Sequence, residues 1–253
     1  MTSSSTTPTR LSAIIIAKDE ARDLPACLAS LAFCDEIVVV DSGSTDDTVA
    51  IAEAKGCRVL IRTDWAGFGA QKQRALDAAT GDWVLSIDAD EVIPHALAAE
   101  IRAAIETRAA AGYRVNRLNS FLGKPLRHGG WYPDRHLRLA RRDAARFTKD
   151  LVHEALVVDG TVGDLATDMP HQSYRDLDEV LDKQHRYALS GAEQRRLNGR
   201  NGGVGKATQR AIWMFIRLYV VKRGFLDGRE GFLAAVSNTQ EVFWRYAATG
   251  KKS

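Results

Sequence analysis

Two acidic residues separated by one other residue follow an uncharged run about a third of the way along the chain. Asp88 and Asp90 come directly after residues 83–87. Carboxylates at this spacing can both approach one hard cation, because such ions prefer oxygen ligands and keep positions open for water and phosphate oxygens. The pair therefore predicts a Mg²⁺ or Mn²⁺ site that a diphosphate would complete. The motif alone is weak evidence for a metal site, so the assignment depends on where the fold places the two residues.

Acidic residues also follow the ends of two other predicted strands. Glu20 comes shortly after the first strand, and Asp41 ends the second. Open parallel sheets bind ligands outside the carboxyl ends of their strands, which favours a functional role for Asp41. For Asp46 and Asp47, at the predicted start of a helix, a capping role is favoured.

The elements that must position these residues alternate between strand and helix. Largely apolar strands separated by helices predict an α/β fold with a mostly parallel sheet covered by helices on both faces. The predicted strands lie at 11–17, 36–41, 58–61, 83–87 and 113–118, with short ones near 136–140 and 155–158, and the predicted helices at 24–31, 46–55, 68–79 and 94–111.

Length and composition favour one catalytic unit with an appendage. The 253 residues carry a formal charge of +3, which is too small to indicate nucleic acid binding by itself. Three cysteines without paired spacing are expected to be reduced thiols. The spacing of His128, His136, His171 and His185 does not match a zinc-binding pattern. We expect a disordered tail at 1–10 that is neither a signal peptide nor a membrane span. A catalytic domain is expected at 11–175, with a nucleotide-binding half at 11–92 and an acceptor half at 93–175. Residues 176–253 are expected to form a basic, amphipathic helical region.

The last third of the chain is strongly basic. Ten Lys and Arg residues between 183 and 223 face a single acid, Glu193. The apolar run at 211–221 is shorter than the roughly 20 residues that span a bilayer, but it suits a helix at an anionic membrane surface. A core helix packed on the catalytic domain is equally compatible with this run. A nucleic-acid surface fits its aromatic and apolar content less well.

Three segments in order resemble the successive motifs of family-2 glycosyltransferases. They are Ile-Ile-Ile-Ala-Lys-Asp-Glu at 14–20, Val-Val-Val-Asp-Ser-Gly-Ser-Thr-Asp at 38–46 and Leu-Ser-Ile-Asp-Ala-Asp-Glu at 85–91. The resemblance implies the Rossmann-like GT-A fold of nucleotide-diphospho-sugar transferases, Asp41 on uracil, and Asp88 and Asp90 on the metal and donor diphosphate, with Asp90 the direct ligand. It also implies a donor site formed by Ala17, Glu20, Asp41, Lys72, Gln73, Asp88, Ala89, Asp90 and Arg138. The guanidinium of Arg138 suits phosphate oxygens.

Further segments, among them 65–72, 127–134, 152–154 and 223–228, resemble a narrower branch, the lipopolysaccharide-core β-1,4-glucosyltransferases. This resemblance implies an inverting transfer of glucose from UDP-glucose to an inner-core sugar of a lipid-linked acceptor, at the inner face of the bacterial cytoplasmic membrane. Glu154 matches the position of the base that accepts the hydroxyl proton. Trp131, Tyr132, Asp134 and His153 are expected on the acceptor side. For Trp131, burial beside two glycines is as compatible as stacking on a sugar, and for His153 a supporting role for Glu154 is favoured over direct catalysis.

Other functions remain open from the sequence. A nucleotidyltransferase would need a Gly-, Arg- and Lys-rich phosphate loop after the first strand, where the chain has Lys18 to Arg22 instead. A sugar- or membrane-binding module without turnover is disfavoured by the intact Asp88, Asp90 and Glu154. A family member with another donor and a cell-envelope polysaccharide acceptor is a further alternative, because donors of similar shape differ in a few pocket contacts. The sequence leaves the oligomeric state unknown.

Overall fold

The computed structural model describes residues 8–148 and 155–249. The strands are β1 (Leu11–Ala17), β2 (Glu36–Asp41), β3 (Arg58–Ile61), β4 (Trp83–Ser86), β5 (Gly112–Phe121), β6 (Lys124–Pro125), β7 (Asp134–Arg141), β8 (Ala145–Phe147), β9 (Leu156–Val158), β10 (Val162–Asp164) and β11 (Met169–Tyr174). The helices are α1 (Leu24–Ser30), α2 (Thr48–Ala54), α3 (Phe68–Ala78), α4 (His95–Thr107), α5 (Leu177–Leu197), α6 (Val204–Phe215) and α7 (Gly228–Ala247).

The chain forms two compact units. The sheet unit comprises Met1–Arg117 and Arg135–His171, and the helical unit comprises Leu118–Asp134 and Gln172–Ser253. The helical unit takes in residues 118–134 and 172–175, which were predicted as part of the catalytic domain.

The main sheet has the strand order β10-β5-β7-β4-β1-β2-β3, with β6 and β11 also paired to β5. β1 runs parallel to both β2 and β4, and β2 runs parallel to β3, whereas β7 is antiparallel to β4. Ala17 is in register with Asp41, and Asp41 with Ile61, so the carboxyl ends of these strands share one edge of the sheet. The mostly parallel sheet predicted from the sequence is confirmed.

Helices cover both faces of this sheet because alternate strand residues point to opposite sides. On one face, Ile14 and Val84 pack with Leu76 of α3. On the other, Ile15 and Leu85 pack in one cluster with residues of α1 and α4. The strands are therefore apolar on both faces, as expected for a parallel sheet between two helical layers.

Helix α4 is shorter than predicted. It ends at Thr107, because Arg108 adopts a left-handed backbone conformation with φ of 49° and its N–H closes on Ala104. The N–H of Ala111 already bonds to the Thr161 carbonyl, at the start of the β5–β10 pairing. The predicted extension of this helix to residue 111 is therefore wrong.

The helical unit is built around α5, α6 and α7, with a π-helical turn at Ile216–Val221 after α6. Phe121, Leu126, Val180 and Ala234 form its buried cluster. Within residues 8–148 and 155–249, no helix is both long and apolar enough to cross a bilayer.

Candidate active site

A cleft of about 490 Å³ opens at the edge of the sheet unit where the parallel strands end. Its size is in the range of small-molecule sites. It contains Ala17 and Glu20, which the sequence predicted for the donor. The full lining is Ile16, Ala17, Lys18, Glu20, Ser42, Thr63, Trp65 and Phe68.

Two aromatic side chains without a predicted role line this cleft. Trp65 and Phe68 are each about half exposed, and their rings meet edge to face at 4.9 Å. Exposed aromatic rings on a cleft offer a flat apolar surface for a planar or ring-shaped ligand. The sequence signal that could have found them is a pair of aromatic residues on either side of Ala66 and Gly67, one in the loop before α3 and one at the first residue of α3.

The carboxylate of Asp41 bonds to its own loop. One oxygen accepts the backbone N–H groups of Gly43 (2.8 Å) and Ser44 (3.0 Å), and the other accepts the Ser44 hydroxyl. Asp side chains commonly fix turns in this way, and Gly43 supplies the positive φ of 91° that this turn uses. Asp41 is buried and does not line the cleft, whereas the adjacent Ser42 does.

Asp88, at the end of β4, is held between two cations. The Lys72 Nζ lies 3.0 Å from its Oδ1, and a guanidinium nitrogen of Arg138 lies 2.8 Å from its Oδ2. Burial alone would raise the pKa of Asp88, but the two neighbouring positive charges outweigh burial and hold that pKa well below its ordinary value. Asp88 is therefore an ionised carboxylate in a fixed orientation.

Glu91 also fixes the end of this strand. Its side chain is fully buried, accepts the backbone N–H of Asp88 at 3.0 Å and pairs with Arg138 at 2.7 Å. Arg117 and His171 approach the same carboxylate at 3.9 Å. Burial raises the pKa of Glu91, and Arg138 opposes only part of that shift. Glu91 is the last residue of the third sequence motif, and no role was predicted for it.

Asp90 contrasts with Asp88. Its side chain is exposed, and within the described ranges it forms no hydrogen bond or ion pair. Ala89, between the two acids, is buried. The pair thus presents one oriented, charge-paired carboxylate and one open to ligands. Asp88 and Asp90 suit a cation that takes further oxygen ligands from its substrate, since no third His, Cys, Asp or Glu joins them in the described part of the chain.

A second cleft in the sheet unit, of about 320 Å³, is strongly cationic. Lys72 and Arg138, both predicted for the donor, line it together with Arg117 and His136, which were not. A guanidinium nitrogen of Arg117 lies 2.8 Å from the His136 Nε2. Guanidinium and ammonium groups in this arrangement suit phosphate oxygens. The full lining is Lys72, Ser86, Asp88, Arg117, His136, Leu137, Arg138, Phe147, Ala155 and Leu156.

Gln73 lies apart from both clefts. Its amide donates to Asp77 at 2.7 Å and accepts the backbone N–H of Phe147 at 2.8 Å. Adjacent helical residues point about 100° apart, so Lys72 and Gln73 cannot both face the sheet edge. Gln71 is the buried glutamine of this helix, and its amide binds Ser42 at 3.0 Å.

The residues predicted for the acceptor fall into two groups. Trp131, Tyr132 and Asp134 belong to the helical unit, whereas His153 and Glu154 lie outside the described residues. The Trp131 ring packs 5.9 Å from that of Phe121 and 6.0 Å from that of Tyr174. Asp134 accepts the Asn119 amide at 2.9 Å, and the Arg127 guanidinium lies 5.1 Å from the Tyr132 ring.

The comparisons with known proteins place these features in a family of enzymes. Residues 12–155 match the family described as "Glycosyl transferase family 2", and the chain belongs to this family. The fold class is the predicted GT-A class.

One relative resembles the chain over nearly its whole length. The lipopolysaccharide core biosynthesis glycosyltransferase LpsC of Rhizobium meliloti (strain 1021) is 33% identical over 242 residues, covering 92% of this chain and 89% of that protein.

Two crystal structures are also similar. S. aureus TarS 1–349 is 15% identical, with 95% of this chain and 90% of that chain covered and a TM-score of 0.49. Glucosyl-3-phosphoglycerate synthase from Mycobacterium tuberculosis, in complex with Mn²⁺, UDP and glucosyl-3-phosphoglycerate, is 31% identical over 44% of each chain, with a TM-score of 0.37.

Proposed function

We propose that this family-2 glycosyltransferase transfers a hexose, glucose from UDP-glucose, with inversion to an inner-core sugar of lipopolysaccharide or a similar lipid-linked acceptor. The observation that carries the proposal is the pairing of a cation-held Asp88 with an exposed Asp90. Both residues follow β4, which runs parallel to β1, and the carboxyl end of β1 lines the 490 Å³ cleft. The similarity to LpsC supports the acceptor class. The proposal places the protein in the cytoplasm, peripherally on the inner face of the membrane.

The nucleoside is assigned to the 490 Å³ cleft. Glu20 and the backbone at Ala17 would contact it, with Trp65 and Phe68 offering apolar surface. Asp41 would contribute to uracil recognition through the loop that it fixes, because that loop places Ser42 in the cleft.

The donor diphosphate is assigned to the strand end at Asp88, Ala89 and Asp90, with Lys72 and Arg138 on its negative oxygens. Asp90 would be the first ligand of a Mg²⁺ or Mn²⁺ ion and Asp88 the second, since both Asp88 oxygens already face cations. Such an ion supplies neutralisation of the negative charge that develops on the departing diphosphate.

The transfer forms one bond and breaks another at the anomeric carbon. The acceptor oxygen bonds to that carbon from the face opposite the diphosphate, the carbon–oxygen bond to the diphosphate breaks, and the nucleoside diphosphate leaves with the electron pair. The acceptor hydroxyl proton passes to the carboxylate of Glu154. Lys72 stabilises the leaving group through charge. The proposal assigns acceptor contacts to Trp131, Tyr132, Asp134 and His153.

The reaction class is tested by nucleoside diphosphate release from UDP-, GDP- and dTDP-sugars, with and without Mg²⁺ or Mn²⁺. We expect metal-dependent release from UDP-glucose, reduced about a hundredfold or more in Asp90→Ala because the first metal ligand is lost. Asp47→Ala is the matched control, as it removes an exposed aspartate whose side chain makes no cap bond. If the protein binds UDP-glucose but releases no nucleoside diphosphate under any condition, even with acceptor extract supplied, it is a binding module and not an enzyme.

The assignment of the base is tested separately with Glu154→Gln. We expect a loss of turnover of about a hundredfold or more, because the amide cannot accept the hydroxyl proton. The affinity for UDP-glucose, measured by calorimetry, is expected to stay within about twofold of wild type, since the base acts on the acceptor. Near wild-type turnover in this variant would show that another group takes the proton.

A further inference from the structure

An apolar surface of the helical unit stays uncovered within the described residues. It follows the outer side of α6, the π-helical turn and the short 3₁₀ turn at Gly224–Asp227. Val220 and Val221 are 55% and 60% exposed, and Trp213 and Leu226 are each 54% exposed. We call this the 212–226 surface, and its exposed apolar residues are Ile212, Trp213, Ile216, Val220, Val221, Phe225 and Leu226.

The inner side of the same segment is packed, which fixes the orientation of the outer side. Phe215 and Tyr219 stack on each other with ring centroids 5.3 Å apart. Both also meet the ring of Phe232 in α7, at 5.9 Å and 5.6 Å. These contacts hold the segment on α7, so the outward residues are not the ones that attach it to the unit.

The charged residues of the segment that carries the 212–226 surface have one sign. Residues 194–226 contain eight Lys and Arg and no Asp or Glu. The five cations nearest the surface in sequence are exposed, and none of them forms an ion pair within the described part of the chain. They are Lys206, Arg210, Arg217, Lys222 and Arg223.

We propose that the 212–226 surface docks on an anionic phospholipid bilayer, with its apolar side chains at the boundary between headgroups and acyl chains. The flanking guanidinium and ammonium groups would bind lipid phosphates. Trp213 is suited to this boundary because its indole is apolar with one polar N–H. The inference rests on the membrane location given in the proposed function and deepens it, because it assigns the docking to one surface, which binds lipid whether or not a donor is present.

Two other occupants fit the surface less well. A second copy of the chain would bring two basic surfaces together, and an isologous contact of like charges is repulsive. A nucleic acid would satisfy the cations, but its phosphates would leave Val220, Val221 and Leu226 in contact with water or with charge.

Vesicle co-sedimentation in the absence of nucleotide tests the inference on the full-length protein. We expect binding to vesicles of phosphatidylcholine mixed with phosphatidylglycerol, and at least about tenfold weaker partitioning to phosphatidylcholine alone, since each cation near an anionic surface contributes about fivefold. The variant Trp213→Ser/Val220→Ser/Val221→Ser is expected to lower partitioning by about tenfold or more. Phe215 is left intact because it packs on α7.

The matched control is Leu181→Ser/Trp244→Ser. It removes two apolar side chains of the same unit that are 51% and 59% exposed but lie outside this surface. Its partitioning is expected to equal that of wild type. Circular dichroism and UDP binding by calorimetry verify that all variants fold. If wild type does not bind UDP, that result counts against the proposed function and not against the lipid-binding surface.

Three results would overturn the inference. The first is wild type that stays in the supernatant with anionic vesicles. The second is unchanged partitioning of the folded triple variant, which would indicate a purely electrostatic site for polyanions. The third is a wild-type dimer in sedimentation velocity that becomes a monomer in the triple variant, which would assign the surface to a second copy.

Discussion

Two regions of the molecule, the surroundings of Arg138 in the sheet unit and the segment 194–226 in the helical unit, differ in how their positive charges are paired and exposed. In the sheet unit, Arg138 is almost fully buried and forms ion pairs with Asp88 and Glu91. In the helical unit, residues 194–226 carry eight cations and no acid, and most of these cations are exposed. A buried charge must be paired because its desolvation is costly. An exposed one can stay unpaired and remain available to a partner.

The buried, paired charge of Arg138 fixes the geometry of its neighbours, whereas exposed, unpaired charges contribute to the affinity for a binding partner. Burial alone would lower the pKa of Arg138, yet Asp88 and Glu91 hold that pKa above its ordinary value. Its charge is therefore permanent and its position fixed, which orients Asp88. Lys206, Arg210, Arg217, Lys222 and Arg223 of the helical unit form no ion pair among the described residues, so their effect is long-range and depends on salt.

The comparison predicts the largest stability effect at Arg138. Arg138→Ala leaves the buried carboxylate of Glu91 without its nearest cation, and breaking a buried pair in this way typically costs about 3–5 kcal/mol. Urea unfolding followed by circular dichroism measures the change in the free energy of unfolding.

Arg141→Ala is the control on the same strand, since Arg141 pairs at the surface with Asp143 and an exposed pair contributes about 0–1 kcal/mol. The double variant Arg138→Met/Glu91→Leu should cost less than Arg138→Ala, because it leaves no unpaired charge from this pair. If Arg138→Ala and Arg141→Ala cost the same, the burial of the pair does not govern its contribution.

A smaller effect is expected at Glu36, a charge of the sheet unit that is paired with hydrogen-bond donors instead of a cation. Its carboxylate accepts the Ser12 hydroxyl and the Thr80 backbone N–H, at 2.5 Å and 2.8 Å. Burial opposes ionisation, but these hydrogen bonds prevail and lower the pKa of Glu36. Glu36→Gln should cost about 1 kcal/mol at pH 7, the typical net contribution of such hydrogen bonds.

The sign of the pH dependence follows from the lowered pKa. The stabilisation is fully present above the unfolded pKa of about 4.3 and is lost as the pH falls through the lower folded value. The difference between wild type and Glu36→Gln should therefore shrink as the pH falls below about 4.3. Glu53→Gln, on the exposed side of α2, serves as the control. A constant difference across this range would mean that the carboxylate's charge has no part in it.

The sequence predicted the sheet well because its strands have a strong local signal. The bounds of β1, β2 and β3 agree with the prediction residue for residue. The end of α4 did not, since the left-handed turn at Arg108 and the bond of Ala111 to Thr161 depend on β10, which is distant in sequence. The length of β5 likewise depends on its pairing with β6 at Ser120 and Phe121.

In the candidate site, too, residues with a local sequence signal were predicted, whereas those whose role depends on tertiary contacts were not. Asp88, Asp90, Ala17 and Glu20 were predicted from motifs at strand ends. Because β1 and β4 run parallel, the residues that end or follow these strands lie at one edge of the sheet. Glu91 was missed because an acid in a run of acids resembles a surface residue until its burial is known. Gln73 was assigned to the donor through the family resemblance, and only the structure shows that its side chain bonds to Phe147 of β8.

The smallest stability effect is expected from the exposed cations of the helical unit. Arg217→Gln/Lys222→Gln/Arg223→Gln removes three charges that have no ion pair among the described residues, so the free energy of unfolding should change by no more than about 0.5 kcal/mol. At low ionic strength the change should be slightly stabilising, because like charges repel. Urea unfolding at low and high salt measures both effects. A loss as large as that of Arg138→Ala would mean that these cations hold the fold together, and the contrast between the two units would then be wrong.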